Sequence, residues 1–314
     1  MSSAPAAASP KLRAKGRPAD IIFQGISTFA GISILVMLGL VAIFLVVQSI
    51  PAFGPDFDVK GTSNFLEYVG PLAFGTVWAS FLAMIMAVPV AIGIALFITH
   101  FAPRKLASTI GFVIDLLAAV PSVVFGLWGA NVLAGFMKPA YAWLSDNLGF
   151  IPLFAGTASG TGRTILTASI VLAVMVLPII TALSREVFLQ TPRLHEEASL
   201  ALGATRWEMI KMAVLPFGAS GIVSASILGL GRALGETMAI AMVLSPSLVV
   251  SFILTSGTNP STIASNIALS FPEAHGNEVS ALIATGLVLF IITILVNGLA
   301  RWLLGRNPRT GGAK

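Results

Sequence analysis

Apolar runs long enough to cross a bilayer alternate with shorter polar stretches along most of this 314-residue chain. A helix needs about 20 mostly apolar residues to traverse the hydrocarbon core. Six stretches reach that length, at roughly 23–49, 72–99, 109–136, 165–189, 218–244 and 280–304. The pattern predicts an all-α integral membrane protein with six transmembrane helices. The stretches at roughly 50–71, 137–164 and 245–279 are rich in Gly, Pro, Ser and Thr and read as loops with short helices. Residues 1–20 form an Ala-, Ser- and Pro-rich leader that cannot build a core and is expected to be disordered. The first helix with its following segment occupies 21–71, a helical core 72–304, and a short tail 305–314.

Charge sets the expected orientation. Of the 18 Lys and Arg residues, Lys60, Lys138 and Arg163 fall in the three loop stretches just named and Arg232 lies inside span five. The other 14 flank the opposite ends of the spans, so the positive-inside rule places both termini in the cytoplasm. Span one exceeds a signal-peptide apolar core and no A-x-A site follows it, which argues for an uncleaved helix. The bases are not interleaved with aromatics on one polar face, so the net charge of +5 signals topology and membrane lipid rather than nucleic acid. With no cysteine and three scattered histidines, neither a thiolate site nor a metal centre is expected.

Two glycine-rich stretches imitate nucleotide sites without meeting their spacing. In "FAGTASGTGRT" the P-loop register puts Thr157 at the first glycine and Arg163 at the lysine, and in "GLGRALG" the last interval is one residue too long. No paired catalytic carboxylates or Ser-His arrangement appears, so the chain is not expected to be an enzyme. Span five instead carries Arg232 and Glu236, four residues apart and thus on one face of a continuous helix. Charges inside a membrane are costly, and such a pair is a functional candidate, with a structural bridge as the alternative. Thr237 adds a hydroxyl beside the carboxylate, and Gly229, Gly231 and Gly235 allow neighbouring helices to come close. Pro121 and Pro178 are expected to kink spans three and four, with Ser122 as a further pathway residue and Asp115 an interfacial group bonded to a neighbouring helix.

Between spans four and five, "TPRLHEEASLALGATRWEMIKMAVLP" (191–216) is the longest and most charged connection expected on the cytoplasmic side. Pro192 can open a helix, Gly203 can end it, and Thr205 with Glu208 forms a capping box for a second helix that Pro216 would end or leave. Glu197, Ala198, Gly203, Leu215 and Pro216 fall at the spacing E-A-A-x3-G-x9-I-x-L-P, with Ser199 and Ala213 as departures. The segment resembles the EAA loop of permease subunits of bacterial ABC importers. That resemblance implies a coupling helix docked in a groove of a cytoplasmic ATPase: Glu197 would make polar contact, Ala198 and Leu200 would fill the groove, and Gly203 would permit the turn.

"GRALGETMA", "AAVPSVVFGLWG", "VLPIITALSREVF" and "LGATRWEMIKMAVLP" resemble the membrane subunits of phosphate importers, more closely the PstC type than the PstA type. The likeness covers most of residues 70–304. It implies a phosphate path lined by Arg232, Glu236, Thr237 and Ser122, a PstA-like second permease, two PstB-like ATPases holding ATP and Mg, and a PstS-like external phosphate-binding protein. No cofactor is implied in this chain. An importer of sulfate or molybdate, the PstA-like role, and, in a different class, a secondary transporter or channel remain as alternatives.

Overall fold

The computed structural model describes residues 18–55 and 57–305, and the chain divides after Val47 into two units. The leader and tail expected at 1–20 and 305–314 lie outside the described residues except for Pro18–Asp20 and Gly305, which are helical. Helix α1 (Pro18–Ser49) begins within the expected leader. It is apolar on every side, as suits a helix solvated by lipid.

In the second unit a 3₁₀ turn (Ile50–Phe53) precedes α2 (Phe65–Leu96), which closes in a π turn (Phe97–Phe101). There follow α3 (Arg104–Ala118), α4 (Ser122–Trp128), a π turn (Gly129–Leu133), α5 (Ala134–Leu148), α6 (Ile165–Leu189), α7 (Arg193–Ala201) and α8 (Arg206–Met209). A further π turn (Ile210–Val214) joins α8 to α9 (Leu215–Leu234), and α10 (Met238–Val243) comes next. Strands β1 (Pro246–Ser247) and β2 (Asn259–Pro260) pair in parallel before α11 (Ile263–Ser270) and α12 (Asn277–Gly305). Six helical stretches among the described residues are long and apolar enough to span: Ile22–Phe53, Phe65–Phe101, Ser122–Leu148, Ile165–Leu189, Arg206–Leu234 and Asn277–Trp302.

Two spans differ from expectation. The third is Ser122–Leu148, not 109–136. Pro121 has no N–H and forces its predecessor out of the helical region, so α3 closes with i to i+3 bonds from Ala119 and Val120 to Leu116 and Leu117, and α4 starts afresh. The fifth is Arg206–Leu234, not 218–244. Pro216 does not end it: the π turn immediately before widens the helix, so that Leu215 N–H bonds to Ile210 O and the proline ring is accommodated. By contrast α6 stays continuous through Pro178.

The core forms where α2, α6 and α9 meet. Ala79, Ala83, Ala87 and Ala91 recur every fourth residue along α2, each at most 1% exposed, and share a cluster with Val171, Leu172, Met175, Val176 and Ile180 of α6. Small residues at that spacing let two backbones pack closely without help from water exclusion. Near the C-terminal end of α6, Arg185 Nη2 lies 3.6 Å from Asp115 Oδ2, an ion pair between α3 and α6.

At the end of the bundle opposite the 191–216 hairpin, the supposed loop at 245–279 is partly interior. Residues 259–266 are all buried. Their polar groups are paired: Asn259 Oδ1 accepts from Ile165 N–H at 3.0 Å, Asn259 Nδ2 donates to Arg163 O at 3.2 Å, and Thr76 Oγ1 accepts from Ile263 N–H at 2.9 Å. Asn266 Nδ2 donates to Tyr68 Oη at 2.8 Å. This satisfied polar layer allows irregular backbone to sit inside a membrane bundle.

Candidate functional site

The hairpin at 191–216 takes the expected form. Helix α7 ends with Gly203 N–H bonded to Leu200 O (3.0 Å) and Ala204 N–H to Ser199 O (3.2 Å), the two bonds of a Schellman motif. That closure requires a left-handed residue, and Gly203 supplies φ +87°. Thr205 then opens α8: its N–H donates to Glu208 Oε2 at 2.8 Å, while its Oγ1 accepts from Glu208 N–H at 3.3 Å. Since α8 runs through the π turn into α9, this hairpin and span five are one mechanical element.

Glu197, Ala198, Leu200 and Gly203 are exposed on the hairpin, beside Leu194 (76% exposed) and Leu202 (88% exposed). Leu215 is half-buried and Pro216 exposed, both at the root of α9. The inward side carries two residues to which the sequence motifs assigned no role. Glu196 Oε1 of α7 lies 3.6 Å from Nε2 of His100, in the π turn that closes α2. A charged residue and a histidine 96 positions apart give no local signal of that meeting.

Helix α9 has two sharply different faces. Gly218, Ala225, Gly229 and Ala233 are buried, whereas Phe217, Ser220, Ser224, Leu228 and Arg232 are exposed. The second set recurs every three or four residues and forms one stripe that no other described element of the second unit covers. It runs from the hairpin to a break. Gly229 permits close helix approach, since a methyl there would lie 2.7 Å from Ile180 Cδ1, whereas Gly231 has nothing within 4 Å and Gly235 ends the helix.

That break corrects the expected Arg232 to Glu236 pair. The two residues do not share a helix: α9 stops at Leu234, and Glu236 and Thr237 lie between it and α10. Glycine is a poor helix residue, and α9 closes at Gly235. The buried Glu236 carboxylate accepts from Ala239 N–H at 3.0 Å, capping α10. Thr237 Oγ1 donates to Gly235 O at 3.2 Å. Among the described residues the ion pairs are His100–Glu196, Arg185–Asp115 and Arg185–Glu186, so the Arg232 guanidinium is left without a carboxylate.

Ser122 opens α4 after the Pro121 break, and α4 packs on α10. A methyl built on Gly126 of α4 would stand 2.8 Å from Ala239 Cα, so the helices touch through backbone. The packed helices α4 and α10 thus each follow a break, with Ser122 at the first and Arg232, Glu236 and Thr237 at the second.

Residues 87–307 match the family described as binding-protein-dependent transport system inner membrane component. A Mycobacterium bovis protein named phosphate transport system permease protein PstC 2 is 44% identical over 302 residues, covering 92% of this chain and 93% of that protein. The Mesorhizobium japonicum phosphate transport system permease protein PstC is 40% identical over 305 residues, covering 93% and 92%. Among solved structures, a chain of a bacterial ABC transporter involved in the import of the acidic polysaccharide alginate superposes with TM-score 0.58 at 19% identity, covering 90% of this chain and 96% of that one. This last likeness shows a shared fold.

Proposed function

Because the chain belongs to the family of binding-protein-dependent transport inner membrane components, we propose that it is the PstC-like permease of an ATP-driven phosphate importer. As a family member it is a multi-pass protein of the bacterial inner membrane. The observation that carries the proposal is the unbroken helical connection from a rigid exposed hairpin to a helix break bearing a free arginine. The phosphate assignment rests on the relatives' names together with that arginine.

In this proposal the hairpin end faces the cytoplasm. Two PstB-like ATPases holding ATP and Mg dock there, and Glu197, Ala198, Leu200 and the Gly203 turn meet one of them, with Leu215 and Pro216 passing the displacement into α9. A PstA-like permease completes the path against the uncovered stripe of α9, and a PstS-like protein delivers phosphate at the other face. The Arg232 guanidinium donates paired hydrogen bonds to phosphate oxygens. Glu236 keeps one oxygen on Ala239 N–H and offers the other to a protonated phosphate oxygen, a donor that sulfate lacks. The Ser122 and Thr237 hydroxyls line the same breaks. The test is ATP-dependent uptake in vesicles holding the assembled complex, with phosphate, sulfate and molybdate as competing substrates. Phosphate uptake that resists excess sulfate supports the assignment, and preferential uptake of sulfate or molybdate overturns it.

A further inference from the structure

Resting on the importer proposal, we infer that His100 and Glu196 are positioning residues that tie the coupling hairpin to the ends of α2 and α6 and so transmit its displacement into the bundle. Glu196 is the inward acid of α7, with its side chain 24% exposed, and it faces His100 Nε2 at 3.6 Å. The His100 side chain is 9% exposed, so this polar contact lies largely out of water, where it is worth more than a surface pair. Ser199, buried on the same side of α7, donates to Glu196 O at 2.8 Å and holds that turn of the helix.

The imidazole is fixed on two further sides. Nδ1 lies 2.6 Å from Thr99 Oγ1, and the ring packs edge-on against Phe188 of α6 with centroids 6.5 Å apart. A lone pair on Nε2 would face a carboxylate, so the Nε2 proton belongs on the Glu196 side. Thr99 Oγ1 in turn donates to Ala95 O at 2.9 Å, which anchors the ring to the preceding turn of α2. Phe188 is 1% exposed and lies at the root of α9, where a methyl on Gly218 would stand 3.1 Å from its ring. One histidine therefore touches the coupling helix, the closing turn of α2 and the last turns of α6. A displacement of α7 reaches two spans through it, beside the direct route through α8 and α9.

The experiment uses the assembled complex in vesicles, measuring phosphate uptake and ATP hydrolysis in the same preparation. In His100→Ala and Glu196→Ala, uptake per ATP is expected to fall by about five- to tenfold, the lower range of coupling between linked sites. The double variant is expected to be no worse than either single one, and Glu196→Gln, which keeps an acceptor, is expected to restore most of the ratio. An unchanged ratio in both single variants, or losses that multiply in the double, overturns the inference. Should His100→Ala fail to assemble, His100→Gln carries the same test. Absence of phosphate uptake in the wild-type complex would instead overturn the importer proposal, so the two failures are told apart.

Discussion

Replacing Gly126 by alanine tests whether α4 and α10 really meet. The added methyl would stand 2.8 Å from Ala239 Cα and 3.1 Å from Met242 Sδ. Carbon atoms attract best at about 3.5–4.0 Å, so α4 and α10 must part by roughly 0.7 Å, and since one neighbour is backbone no rotamer change relieves it. Overpacking of this kind costs about 1–3 kcal/mol. Alanine also gains up to about 1 kcal/mol over glycine in a helix, which masks part of the loss. Gly93, inside α2 with nothing within 4 Å, supplies the control, because Gly93→Ala takes the same gain without the clash. The difference between the two variants in denaturant or thermal unfolding of the detergent-solubilised protein therefore isolates the packing cost, expected at about 1–3 kcal/mol against Gly126→Ala. Phosphate uptake should fall with it, because the breaks carrying Ser122 and Glu236 are held by the same contact. Equal stability of the two variants would show that α4 and α10 do not approach this closely.

Two further substitutions probe the hairpin and the interior polar layer. Gly203→Ala forces a side chain onto φ +87° and should cost the hairpin about 1–2 kcal/mol, seen as weaker co-purification of the ATPase subunits; Gly203→Asn should be milder, since asparagine tolerates that region. Asn259→Ala strips partners from the Ile165 N–H and Arg163 O groups, a loss of about 1–3 kcal/mol for each group left buried and unpaired, measurable as a lowered unfolding midpoint.

The hairpin was legible because its determinants are local. A glycine at the turn and a Thr205–Glu208 box act within a few residues, and both appear in the structure as read. Hydropathy also counted six spans, but it shifted the third and fifth because it could not see the breaks that bound them. Val120 to Ser122 and Gly235 to Thr237 sit within apolar runs, and a sliding average smooths over a proline or a glycine whose effect is on the backbone. The Arg232 to Glu236 pairing failed for that reason: spacing of four means proximity only on a continuous helix. The stretch at 245–279 is loop with short helices as read, but nothing in its Ser, Thr and Asn residues announced that several satisfy one another inside the bundle. His100 with Glu196 was invisible because nothing in one segment announces the other.

The most direct test of the central claim is uptake of labelled phosphate, driven by ATP, in vesicles holding the complex with wild-type chain, Arg232→Gln or Glu236→Gln. Loss of a charge-assisted contact worth about 1.5–3 kcal/mol corresponds to roughly a 10- to 100-fold fall in uptake. The proposal expects that fall for Arg232→Gln with the ATPases still bound, and a smaller one for Glu236→Gln, whose amide oxygen can still cap α10. Undiminished uptake by Arg232→Gln would contradict it and remove the break between α9 and α10 from the phosphate path.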